Sequence, residues 1–481
     1  MKQIRGKLVI CTGGAPILIM DMSRFFPPLK IVLPFLFFAS AFSLWGRDVP
    51  TRSIEDDSPI RRAIESSWFR ESPARVLAKQ PEMHTLRGGG RVQVRVETSA
   101  QNRDEFAVVL AREQGGAFPG WAQGSWVLTR RRDSNTHENS RIRIFLRSDF
   151  NVYVQFRPLS SDRSQMDVVV YDAYVVRSHP VPIPFERLLV MPVENALAAA
   201  GSRFPRRYFD PDPGRYRDVR SFVAAVRSRL PELTFVDDGA IDQNGAFVFI
   251  NTLQPQDLAA QGGRGGVNCS GFAKWIVDGI LRPVTGQRLP VAPLAAPFGE
   301  RGGSSIEHWE ALRDPFFGLD WIRNLASRAG AALRSPSFAS LEEIEVRNLS
   351  FSQLIHRQGG SRTVRPYRGF LENAGFCILG LQPLLYTLAI NEPGWIYLAV
   401  VNEEWGAERF EGFDPSNLRG LPRLRQFFHI AVLVPFFTEA GAFQVVVFES
   451  AAETSFQGFR TRYPGHFVNL VRVPIEGRFD P

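Results

Sequence analysis

Six short segments between Arg91 and Val181 alternate apolar and polar residues with a period of two: RVQVRVET, EFAVVLA, GSWVLTR, RIRIFLR, NVYVQFRP and MDVVVYDAYVV. In an extended chain, that alternation puts the apolar side chains on one face of a strand. Polar, turn-forming stretches such as RRDSNTHENS and LSSDRSQ separate the runs, so residues 91–185 read as an antiparallel β-sandwich. Before it, residues 44–90 read as a charged, partly helical lead-in that ends in the cluster Gly88, Gly89, Gly90. The PVPIPF stretch at 180–185 reads as a linker.

Beyond the linker the period becomes helical. ERLLVMPVENALAAAG and RDVRSFVAAVRSRL carry apolar residues three and four apart, and AFVFINT at 246–252 reads as a strand. Helices are expected near EHWEALRD, LDWIRNLASRAGAAL and LEEIEVRNLSFSQLIHR, followed by strands WIYLAVVN, FFHIAVLVPFF and FQVVVFES. Helices first and antiparallel strands afterwards make residues 186–476 an α+β domain. A chain of 481 residues exceeds what one hydrophobic core organises, which fits two folded domains.

The start of the chain carries a different signal. From Met22, basic Arg24 and Lys30 precede an apolar run, Ile31 to Phe38, and then small residues Ala39, Ala41 and Ser43. The run is shorter than the ~20 residues of a membrane span. Residues 1–43 therefore read as a signal-peptide region, cleaved on export to a periplasmic or secreted location. The net charge of +8 rests on arginine, since lysine occurs only at Lys2, Lys7, Lys30, Lys79 and Lys274. Its arginines are scattered among acids, so no nucleic-acid partner is indicated. H-E-x-x-H, G-x-S-x-G, phosphate-loop and C-x-x-C motifs are absent, and no metal or cofactor is expected.

The chemistry centres on GGRGGVNCSGFAKWIVDGILRP at 262–283. Phe272, Ala273, Ile276, Val277, Ile280 and Leu281 recur at helical spacing, so an amphipathic helix is expected, stopped at Pro283. Asn268 suits the N-cap and puts Cys269 in the first turn, where the helix dipole favours thiolate. Glycines 262, 263, 265, 266 and 271 read as an approach kept free of side chains. The plainer alternatives are a disulfide between Cys269 and Cys377 or a buried thiol, with Cys377 in GFCILGL read as a core residue. Cys11 lies in the segment expected to be lost.

NCSGF leading into an apolar helix resembles the D/N-C-S-G-hydrophobic motif of NlpC-like cell-wall cysteine peptidases, within the papain-like group. The resemblance covers residues 240–455, with a long insertion at 284–426. It implies a cysteine at a helix N-terminus, a histidine opening a strand of an antiparallel sheet, and a polar residue on the next strand. His429 in QFFHIAVLVPFF fits the histidine strand. A three-residue turn at Glu439-Ala440-Gly441 would pair Thr438 with Ala442, set Ala431 opposite Glu449, and place Glu449 on the face of His429. An even-length turn would bring Ser450 there instead.

The resemblance implies a monomeric cysteine hydrolase, without cofactor, acting on peptide or amide bonds of peptidoglycan, with Cys269, His429 and Glu449 as its catalytic residues. Gln261, Ser270 and Gly271 are the oxyanion or substrate-binding candidates. His308 could line the cleft, and His466 reads as a loop residue. A second reading keeps the papain-like scaffold as a non-catalytic envelope binding or structural protein.

Overall fold

The computed structural model describes residues 48–98, 102–299, 314–347, 353–358, 361–366, 369–371, 374–405 and 424–481. The signal-peptide region, Cys11, His308 and nearly all of EHWEALRD lie outside the described residues. Antiparallel strands dominate both halves of the chain.

Helices α1 (Ser58–Ile64) and α2 (Pro73–Leu77) precede strands β1 (Glu82–Thr85), β2 (Arg91–Thr98), β3 (Glu105–Arg112), β4 (Trp126–Arg131), β5 (Arg141–Ile144), β6 (Val152–Pro158), β7 (Ser164–Val170) and β8 (Ala173–Val181). These strands pair in chain order, each antiparallel to the next. The run MDVVVYDAYVV is two strands, because Tyr171 and Asp172 take positive φ of 46° and 63°. That is the left-handed pair a two-residue hairpin needs. The lead-in is part of the packing, with Ile64, Trp68 and Phe69 buried beside Trp126 and Leu128. The expected linker is buried too, through Val181, Ile183 and Phe185.

Next come α3 (Phe185–Leu188), α4 (Val193–Ala199) and α5 (Arg217–Arg229). Four three-residue strands follow: β9 (Leu233–Phe235), β10 (Gly239–Ile241), β11 (Phe247–Phe249) and β12 (Gly265–Val267). They lead into α6 (Cys269–Thr285), and α7 (Phe317–Leu333) and α8 (Leu341–Ile344) complete the helical stretch. Among the described residues of LEEIEVRNLSFSQLIHR, those that are helical are Leu341–Ile344. Residues of its second half form β13 (Gln353–Gln358), which with β14 (Ser361–Pro366) extends the first sheet to ten strands by pairing with β8 at Ala173 and Tyr174. The open backbone edge of β8 takes these residues as a further strand in place of the local helical pattern.

The second sheet has six strands: β15 (Phe376–Cys377), β16 (Trp395–Trp405), β17 (Leu424–Phe437), β18 (Phe443–Glu449), β19 (Ala452–Ser455) and β20 (Phe467–Pro474). Their order is β15-β20-β16-β17-β18-β19. Helices α6 and α7 cover one face, over Ile430, Val432 and Val434. On the other face, α9 (Leu381–Asn391) and α10 (Phe456–Arg462) cover Ala431, Leu433 and Val447. Burial on both faces explains why HIAVLVPFF reads as a nearly unbroken apolar run.

Helix α6 differs from its expectation in two ways. Every residue from Ser270 to Leu281 is buried, so over that length the helix lies within the core and turns no face to solvent. Its polar residues Lys274 and Asp278 sit one turn apart and neutralise each other as an ion pair with no exposure. The helix also continues past Pro283 to Thr285. Proline removes the hydrogen bond to the carbonyl four residues back, and that carbonyl, of Gly279, accepts instead from the Asp480 N–H at 2.8 Å. The segment that supplies it seats Phe479 on Trp275, with ring centroids 5.1 Å apart.

Candidate active site

The junction of β12 and α6 sets the position of Cys269. Asn268 is extended (φ −92°, ψ −168°) and its Oδ1 accepts from the Gly271 N–H at 2.8 Å, closing the N-cap. The Asn268 N–H donates to the Gly239 carbonyl at 2.9 Å, which ties the cap to β10. Of the five glycines read as a clear approach, only Gly262 and Gly263 have open space around them. A Cβ at Gly265 would lie 1.9 Å from the Phe247 ring, one at Gly266 would lie 2.2 Å from Gln256 Oε1, and one at Gly271 would lie 2.0 Å from the Gly239 oxygen. These three serve close packing, because the β12–α6 turn is pressed against β9–β11 with no room for side chains.

His429 reaches the cysteine because β17 carries a bulge. Val401 pairs with His429 and Asn402 pairs with Phe427, leaving Phe428 as the extra residue. The simple alternation expected for this strand therefore fails on the N-terminal side of His429. Phe427 packs with the α7 side and Phe428 packs toward α10. Beyond the bulge the register follows the three-residue turn: the Thr438 N–H donates to the Ala442 carbonyl at 2.9 Å, and pairs run from Phe437–Phe443 to Val432–Phe448. Continued by one step, that register would set Ala431 opposite Glu449. Glu449 Oε2 lies 2.7 Å from His429 Nε2, whereas Ser450 occupies the turn after β18.

With Nε2 committed to Glu449, Nδ1 is the nitrogen left to hydrogen-bond Cys269. Burial alone would raise the Cys269 thiol. The hydrogen bond and charge of His429, the Ile430 N–H and the Ser270 hydroxyl together reverse that and lower it below its ordinary value. Burial works against the imidazolium as well, but Cys269 and Glu449 outweigh it and raise His429 to about 9. Glu449 is 4 % exposed; burial opposes its charge, and bonds from His429, Thr454 and Arg462 prevail, lowering it to about 2. All three directions favour a thiolate–imidazolium–carboxylate array at neutral pH.

The titration of His429 tests this balance. Its NMR chemical shift is expected to titrate with a midpoint of about 9 in the native protein. Cys269→Ala protein should show a lower midpoint, because the thiolate that favours the imidazolium is gone. Midpoints at or below ~6.5 in both proteins would mean that burial dominates.

The weaker candidates fall elsewhere. Gln261 Nε2 donates to Gln256 Oε1 at 3.2 Å, and Gln256 in turn bonds the N–H and carbonyl of Gly266, so this pair buttresses β12. The Gly271 N–H is spent on the cap, which leaves it no hydrogen for an oxyanion. Ser270 is buried, its hydroxyl turned to the Cys269 sulfur and its carbonyl accepting from Trp321 Nε1 at 2.9 Å. The N–H of Cys269 itself, in the first turn and without an intrahelical acceptor, is the donor best placed for an oxygen attached next to its sulfur.

Cys377 and Cys269 are both free thiols. Cys377 lies on β15, three strands from β17, which at ~4.8 Å per strand is too far for a bridge across the site. His466 packs edge-on against Tyr463 and Phe428. Thr454, Arg462 and Tyr463 were not singled out in the sequence. Only Thr454 left a signal there, since a two-residue turn at Ser450-Ala451 puts it diagonal to Glu449.

Residues 50–208 match the model of a family described as a domain of unknown function (DUF8515). The matched stretch ends well before Cys269. No curated protein and no solved structure matches the chain.

Proposed function

We propose that the chain is an exported cysteine hydrolase that cleaves peptide or amide bonds, with cell-wall peptidoglycan as its substrate, on a papain-like, NlpC-like catalytic domain. The observation that carries this reading is the contiguous array of Cys269 at the start of α6, His429 on β17 and Glu449 on β18, with the sulfur and imidazole in hydrogen-bonding contact. Peptidoglycan as substrate rests on the NCSGF resemblance, and export rests on the composition of residues 22–43.

In the proposed reaction the Cys269 thiolate adds to the amide carbonyl, and the developing oxyanion faces the Cys269 N–H. His429 gives its proton to the leaving amine as the C–N bond breaks, leaving a thioester. A water then gives a proton to the neutral imidazole and attacks the thioester, releasing the carboxylic acid and restoring the thiolate–imidazolium pair. Glu449 keeps the ring oriented and stabilises its cation throughout.

The test is incubation of the protein with purified peptidoglycan, reading soluble fragments by mass spectrometry. Fragments with new amino and carboxyl ends, absent with Cys269→Ala protein, are expected. Failure of the native protein to release any such fragment, with cell-wall binding intact, would favour the non-catalytic scaffold.

A further inference from the structure

Both oxygens of the Glu449 carboxylate are engaged. Oε2 meets His429, while Oε1 accepts from the Thr454 hydroxyl at 2.5 Å and from the Arg462 guanidinium. The donors come from the segment that follows β18. Its turn is tight, with Ser450 and Ala451 at positive φ of 48° and 67°, the left-handed pair that a two-residue hairpin needs. The turn pairs Glu449 with Ala452 and Val447 with Thr454, so Thr454 shares the face of Glu449. Helix α10 then starts on a Ser455 cap, whose Oγ accepts from the Gly458 N–H at 2.9 Å, and is anchored by buried Phe459. One turn beyond that anchor come Arg462 and Tyr463. The Tyr463 ring lies 5.7 Å from His429 and 5.8 Å from Phe428, and the Arg462 guanidinium stacks over it at 5.4 Å.

We propose that the β19–α10 segment is the positioning element of the reaction centre: Thr454 and Arg462 hold Glu449 with one oxygen aimed at His429 Nε2, and Tyr463 closes the outer face of the imidazole. This rests on the reading of Cys269, His429 and Glu449 as the reacting array. None of the three side chains needs to touch substrate. A carboxylate held by three donors has one orientation, and a ring packed between that carboxylate and Tyr463 keeps Nδ1 on the sulfur. The two-residue turn fits the same role, because a longer one would shift the register and carry Thr454 off the face of Glu449.

The experiment is the pH profile of iodoacetamide alkylation of Cys269, read by mass spectrometry, in native, Arg462→Met, Arg462→Lys, Thr454→Val and His429→Ala proteins. Arg462→Met is expected to slow labelling at pH 6 by about tenfold, and Arg462→Lys to recover it to within about threefold. Thr454→Val is expected to act in the same direction. Arg462 is 46 % exposed at its side chain, so its variants are expected to fold, and thermal unfolding checks that. Should Arg462→Met not fold, Thr454→Val decides alone. If His429→Ala slows labelling while Arg462→Met and Thr454→Val keep the native profile, the positioning role is overturned and the reacting array stands. If His429→Ala leaves labelling unchanged, the array itself fails and the positioning role falls with it.

Discussion

Replacing His429 with alanine is expected to slow alkylation of Cys269 by about 100-fold at pH 6. An ordinary thiol with a pKa of ~8.5 is only about 0.3 % thiolate at that pH. In the native protein the imidazolium lowers Cys269 below its usual range, and without it burial is left to raise the thiol. The gap should narrow as the pH approaches 10, where a thiol without its partner begins to ionise. The proton needed by the leaving amine is lost with the same side chain, so hydrolysis of an amide substrate should fall by about 1,000-fold or more. Equal labelling of the two proteins across pH 5–8 would show that the sulfur draws nothing from His429.

A second large effect is expected from the smallest substitution, Gly271→Ala. Helix propensity alone favours alanine over glycine inside a helix. Here the added methyl would sit 2.0 Å from the Gly239 oxygen and 2.8 Å from the Ala240 Cα, both backbone atoms of β10 that cannot swing aside. Overpacking of this kind costs about 1–3 kcal/mol or more. Relief requires the first turn of α6 to withdraw from β10, which moves Cys269, two residues away, off the His429 nitrogen. The expected outcome is a lower urea midpoint together with a loss of rapid Cys269 labelling. Native labelling and stability in Gly271→Ala protein would mean that the β10–α6 junction has slack the structure does not have.

These two positions show how differently the chain advertises its parts. The Asn268 cap, Cys269 and the register of the 439–441 turn are local, each set within a few residues by hydrogen bonding and turn geometry, and they could be read without knowing what packs where. Glu449 followed from them, because a hairpin register is arithmetic once its turn is known. Alternation located β2 to β8 and apolar runs located β16 to β18, whereas β1, β14, β15, β19 and β20 were not read from the sequence. Local pattern failed where a residue's environment came from far along the chain. The helix pattern at 353–357 yielded to the open edge of β8, and Pro283 stayed helical because the Asp480 N–H takes the freed carbonyl. Gly265, Gly266 and Gly271 are packing glycines because of Phe247, Gln256 and Gly239, none of which their own neighbours reveal.

By itself the sequence determined a sulfur at a helix start, a histidine on a hairpin strand with Glu449 or Ser450 to face it according to the turn, and antiparallel strands in both halves. Periods of 2 and 3.6 and the rules of caps and turns act over a few residues. Only the tertiary structure decided that the helix and the hairpin meet, that a bulge at Phe428 interrupts the strand beside the imidazole, and that Thr454, Arg462 and Tyr463 close around Glu449 and His429. Contacts between elements 160 residues apart depend on which apolar faces bury against each other, and that sum is taken over the whole core, not over any one stretch of it.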